Sequence, residues 1–201
     1  GMMRFNLPQS NAGRRVGLLG GSFDPAHEGH VRISEQALKR FDLDQIWWLV
    51  SPANPLKPQG PAPLDKRVAH ARRLIDHPRI VITDVENHLD TRFTCDSLRA
   101  LREIYSTTRF TWLMGADNLA QIHQWRDWQD IFQLMPVGVL ARPGQGLAAQ
   151  CAPAARRFAS ARLAARDSRL LSHCTAPAWC FVDMPQNPAS SSAIRNRGGW
   201  G

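Results

Sequence analysis

The sequence contains no long hydrophobic run. Its apolar stretches stop well short of the about 18 residues a helix needs to span a bilayer, so no transmembrane segment is expected. The opening stretch, GMMRFNLPQSNAGRR, lacks the apolar centre of a secretory signal. Gly1 ahead of Met2 reads as a residue left by tag cleavage. There are four cysteines, and no two form a CxxC pair, which argues against a zinc knuckle or a small disulfide scaffold. Reduced thiols and a cytoplasmic setting are the expectation. Acidic residues are also in short supply: 17 against 25 lysines and arginines leave a formal charge of +8. Such a surface attracts polyanions, among them nucleic acid, anionic membranes and nucleotide phosphates. No dense run of basic residues singles out the first two. The arginines are scattered over predicted helices such as HARRL and AARRFASARLAARDSRL, where they read as a solvated basic face.

What is present is enough apolar residue for a core: 43% of 201 positions, a size that suits one domain. Residues 1–14 are polar and read as a flexible arm, with a single domain over 15–201. Along that domain, RVGLLG, QIWWLV, RIVITDVE, RFTWLMG, PVGVLA and WCFVDM read as strands. Between them HVRISEQALKRF, LDKRVAHARRLIDH, TCDSLRALREIY, WQDIFQL and APAARRFASARLAARDSRLL read as helices, and SSSAIRNR opens a last one. Strands that are apolar throughout, alternating with helices, predict an α/β fold: a Rossmann-like parallel sheet with helices on both faces. In such sheets ligands sit beyond the carboxyl ends of the strands. Residues 20–30, 51–57 and 115–118 all follow strands, so they are expected to gather on one edge.

The segment GLLGGSFDPAHEGHV asks for a special explanation. It lacks the GxGxxG of a dinucleotide fingerprint and the GxxxxGK[ST] of a Walker A loop. His27 and His30 stand three apart at a predicted helix start. They could form a metal pair, but no third ligand is evident nearby. They could serve packing or capping. The favoured reading is phosphate binding: a helix N-terminus offers free N–H groups and a positive dipole end, and an imidazole there can donate to phosphate oxygens. Gly29 leaves room for a close ligand, and Phe23 reads as a packed anchor.

GGSFDPAHEGH closely resembles the GxFxPxHxGH signature of the nucleotidyltransferase superfamily, and within it the bacterial nicotinate-nucleotide adenylyltransferases. Five more segments carry the resemblance in order: WWLVSPANPLKP, RFTCDSLRAL, LMGADNLAQIHQWRDWQDI, VLARPG and SSSAIR, together covering residues 16 to about 197. Phe93 and Ser97 depart from the family's Tyr and Thr. The family also continues past the position of Arg195 with two short helices, whereas this sequence ends at Gly201: either that segment is missing from this chain or this branch ends differently.

The resemblance implies a nucleotidyltransferase of NAD biosynthesis with two small-molecule substrates, ATP and nicotinate mononucleotide, and with Mg²⁺ accompanying ATP. It implies roles for individual residues. His27, His30, Lys57 and Arg195 are the catalytic candidates. Gly20, Gly21, Ser22, Phe23, Asp117, Arg142, Ser191 and Ser192 join His27, His30 and Arg195 on the ATP side. Asn54, Thr94 and Trp125 are the mononucleotide side, with Trp125 the ring platform and Trp128 core. No metal is expected to be held by protein alone; Asp24 is either a turn residue or an indirect contact to the magnesium. Two alternatives stand beside this: an enzyme for nicotinamide mononucleotide or for both forms, and a basic RNA-binding module with a degenerate nucleotide site. No nucleic-acid or membrane partner is expected. The sequence leaves monomer and homodimer equally open.

Overall fold

Seven strands form one parallel sheet in the computed structural model, which describes residues 7–52 and 60–186. The strands are β1 (Arg15–Gly21), β2 (Gln45–Val50), β3 (Ile80–Thr83), β4 (Arg109–Gly115), β5 (Val137–Ala141), β6 (Arg162–Leu163) and β7 (Trp179–Asp183), in the order β3-β2-β1-β4-β5-β7-β6. All six pairings are parallel. The helices are α1 (Glu28–Arg40), α2 (Leu64–Leu74), α3 (Val85–Leu89), α4 (Thr94–Ile104), α5 (Ala116–Gln121), α6 (Trp128–Leu134), α7 (Gly146–Gln150) and α8 (Pro153–Arg157).

Adjacent strand residues point to opposite faces, and both faces are buried, which is why these strands are apolar throughout. Trp47 and Trp48 show it: each is fully buried, Trp47 in the core beneath α4 and α6, Trp48 in the core beneath α1 and α2. No described helix is long and apolar enough to cross a membrane. The four cysteines are free.

Two expectations need correction. The stretch 152–171 is not one helix. It breaks into α8, a 3₁₀ turn at Ala159–Ala161, the short strand β6 and a 3₁₀ segment at Ala165–His173. The run of Ala and Arg supports helix, but tertiary contacts win. The carbonyl of Phe158 accepts from Trp179 Nε1 at 2.7 Å, and Arg162 lies over the rings of Trp179 and Phe181 while β6 pairs with β7. Nor is the described part of residues 1–14 loose. Leu7 is buried, Tyr105 donates its hydroxyl to the Pro8 carbonyl, and Gly13 N–H donates to Thr107 O at 2.8 Å.

Candidate active site

The strand order turns in opposite directions from β1 to β2 and from β1 to β4, so the carboxyl ends of β1 and β4 border the crevice where such sheets hold ligands. Two cavities lie there, of about 200 and about 260 Å³. They meet at Gly20 and Asn118, which line both. Gly20 has no tolerance for a side chain: a Cβ would fall 2.7 Å from Trp112 Cη2.

The larger cavity is walled by His27, His30, Asp117 and Arg142, all four from the predicted ATP side. His27 is the N-cap of α1, a position normally held by Ser, Thr, Asp or Asn. Its Nδ1 accepts from Gly29 N–H at 3.0 Å, while His30 Nδ1 accepts from His27 N–H at 3.1 Å. The two imidazoles therefore form a reciprocal capping box. Gly29 is required by it, since a Cβ there would lie 2.6 Å from the His27 ring. With each Nδ1 committed as acceptor, a neutral ring carries its proton on Nε2, leaving that N–H as a donor.

His30 packs between Phe23 and His27, with ring centroids at 4.5 and 4.0 Å. Burial drives its pKa down to about 3, with the neighbouring His27 and Arg142 pushing the same way. His27 is lowered too, by burial and by Arg142. A depressed imidazole pKa means the neutral form persists from there upward. Turnover is therefore expected to show no decline as pH rises through 6.5. A pH–rate profile from 5.5 to 8.5 checks this, and a fall centred near 6.5 would mean that imidazolium is the working form.

The smaller cavity is lined by Ser51, Glu86, Thr94, Trp112 and Trp125 among others, so Thr94 and Trp125 of the predicted mononucleotide side meet here. Thr94 is the first residue of α4, and Asp96 and Ser97 N–H groups are taken by Phe93 O. The N–H groups of Thr94 and Cys95 precede any intrahelical acceptor. Trp125 is half-buried on the wall; Trp128, equally half-buried, packs edge-on against Phe132 and Phe158 at the margin of the core.

Other predicted residues fall elsewhere. Gly21 lines the smaller cavity. Ser22 and Phe23 line neither; Phe23 is 2% exposed and stacks on Trp48, as the packed anchor expected. Asp24 accepts from Ala62 N–H at 3.4 Å, across to the loop before α2. Asn54, Lys57, Ser191, Ser192 and Arg195 lie outside the described residues. No group of three or more His, Cys, Asp or Glu positioned to hold a metal occurs among the described residues.

Comparison with known proteins supplies the deciding observation. Residues 18–197 match the cytidylyltransferase-like family. A protein of Roseobacter denitrificans named "Probable nicotinate-nucleotide adenylyltransferase" is 57% identical over 98% of this chain and 100% of its own length. One of the same name from Cereibacter sphaeroides is 60% identical over 92% of this chain and 98% of its own. The chain belongs to this family. A solved structure, Plasmodium falciparum nicotinic acid mononucleotide adenylyltransferase complexed with NaAD, shares the fold with a TM-score of 0.64 at 17% identity, covering 90% of this chain and 82% of that one.

Within this nucleotidyltransferase chain, Asn118, placed on this edge by the sequence but given no role there, lines both cavities, and two further residues escaped the sequence reading. Arg67 lies on a predicted helix with no role assigned to it from sequence, yet it is fully buried. It donates to the carbonyls of Ala62, Ser22 and Ser51 at 2.6, 2.7 and 2.7 Å, so one side chain ties the loops after β1 and β2 to the start of α2. Glu86, on α3, is buried on the smaller cavity's wall. Neither motif spacing nor periodicity marks a lone buried charge.

Proposed function

We propose that the protein transfers the adenylyl group of ATP to nicotinate mononucleotide. The mononucleotide phosphate oxygen forms a bond to the α-phosphorus of ATP, and the bond from that phosphorus to the β-phosphate bridging oxygen breaks. Nicotinate adenine dinucleotide and pyrophosphate result. The observation that carries this reading is the pair of cavities joined at Gly20 and Asn118, one lined by imidazoles and a guanidinium, the other by an aromatic ring and a helix start. The relatives' name points the same way.

The nucleophile is an anion at neutral pH, so no general base is required. Catalysis then rests on holding two repelling phosphates in line and stabilising the charge that grows on the transferring group. His27 and His30 Nε2–H groups and the Arg142 guanidinium are the donors for this in our reading. Mg²⁺ binds through one or two carboxylates together with substrate phosphates, and the Asp117 carboxylate on the larger cavity's wall suits that arrangement. The ion, when bound, neutralises phosphate charge. Pyrophosphate release on mixing the protein with ATP, Mg²⁺ and nicotinate mononucleotide tests the proposal, and no release with either pyridine mononucleotide would overturn it.

Trp125 gives a finer test. As a stacking platform it contributes about 1–3 kcal/mol to holding a ring. Trp125→Ala is expected to raise KM for the mononucleotide about 5- to 150-fold while KM for ATP changes little. Equal effects on both substrates, or loss of the folded state, would return Trp125 to the core.

A further inference from the structure

The Glu86 carboxylate is buried and has hydroxyl partners alone among the described residues. Its Oε1 accepts from Ser51 Oγ at 3.3 Å and its Oε2 from Ser97 Oγ at 2.7 Å, with Thr91 Oγ1 a further 2.7 Å from Ser97 Oγ. No described Lys, Arg or His pairs with it, and the described lining of its cavity carries no cationic side chain. The remaining walls are largely glycine, leucine and tryptophan. Burial raises the pKa of Glu86, and the two serine hydroxyls pull it back. A carboxylate in such surroundings is costly unless something positive comes to it. Trp125, on the same wall, presents a π-face that attracts cations by a second route.

We propose that Glu86 is the counter-charge for a cationic aromatic ring held in this cavity, and that it makes the site selective for a pyridinium over a neutral ring of the same shape. The inference rests on the functional reading above, in which the ligand is a pyridine mononucleotide. The ring nitrogen of that ligand bears the ribose, so its positive charge is permanent and cannot be lost to a base. Ser51 and Ser97 fix the carboxylate from either oxygen, one anchored at the end of β2 and the other on α4. Selectivity by ring charge is distinct from selectivity by ring substituent, which concerns the start of α4.

The test compares nicotinate mononucleotide with its 1,4-dihydro form, which keeps the carboxylate, ribose and phosphate and removes the ring charge. Pyrophosphate release gives kcat/KM for each. The wild-type protein is expected to favour the charged ring by about 10-fold or more, Glu86→Gln to bring the ratio to within about 2-fold of unity, and Ser97→Ala, which removes a partner but keeps the charge, to retain the preference. Equal wild-type efficiency on the two forms overturns the proposal without any variant. A Glu86→Gln protein with the wild-type ratio overturns it as well, and loss of the ratio in Ser97→Ala alike would reduce Glu86 to a structural brace. No turnover of either form by the wild-type protein would instead strike the functional reading itself.

Discussion

His30→Ala is expected to lower kcat by about 10²–10⁴-fold, the scale of a lost donor to developing charge. The variant loses two things at once. One is the Nε2–H donor of a ring that lines the larger cavity. The other is the acceptor for His27 N–H, an end-capping bond of the kind worth about 1 kcal/mol. The second loss lowers the melting temperature without abolishing the fold, because Phe23 and Trp48 still close that part of the core. Thermal melting beside steady-state kinetics separates the two. Near-normal turnover in a folded variant would remove His30 from the chemistry and leave it a cap.

A preference of at least about 100-fold in kcat/KM for nicotinate over nicotinamide mononucleotide is the second large expectation. The Thr94 and Cys95 N–H groups, which have no intrahelical acceptor, suit both oxygens of a carboxylate. A carboxamide presents an NH₂ to one of those donors, leaving buried polar groups unmatched. Glu86 works in the other direction, since a buried carboxylate repels an anionic substituent in the same cavity. Hydrogen bonds to a charged group contribute about 1.5–3 kcal/mol each, and two of them outweigh a repulsion softened by the serine hydroxyls and by the ring's own positive charge. Parallel pyrophosphate release with the two mononucleotides, at saturating ATP and Mg²⁺, decides it. Comparable rates would indicate a tolerant site, and a preference for the amide would end the carboxylate-reading account.

The apolar, unalternating strands made the parallel sheet legible, because burial on both faces leaves no polar side to a strand. The same logic placed residues 20–30 and 115–118 at one edge, where the structure has them. His27 and His30 were legible as a pair through their spacing, but not as each other's capping partners, since imidazole is a rare cap and its acceptor role depends on a ring orientation that spacing does not encode. Arg67 and Glu86 were invisible for a related reason. A charge reads as surface until three carbonyls or two hydroxyls, brought from distant segments, are seen to surround it. The segment after Pro153 misled because alanine and arginine favour helix locally, while the Trp179 indole and the edge of β7 claimed its backbone.

At Gly20 the ridge where the two cavities meet carries no side chain, and the Trp112 ring occupies the volume one would need. Two half-sites that meet along such a ridge would act on a bridging ligand as a chelating pair. A ligand with one end in each has its second contact delivered at a high effective concentration once the first is made, so its hold exceeds that of either end by orders of magnitude. The same geometry slows escape, because both ends must let go together. A dinucleotide product would thus be a stronger inhibitor than either fragment, and its departure a natural candidate for the slow step. A short rigid tether between an adenine-like and a pyridine-like group would exploit that ridge, and a bulky one would collide with it.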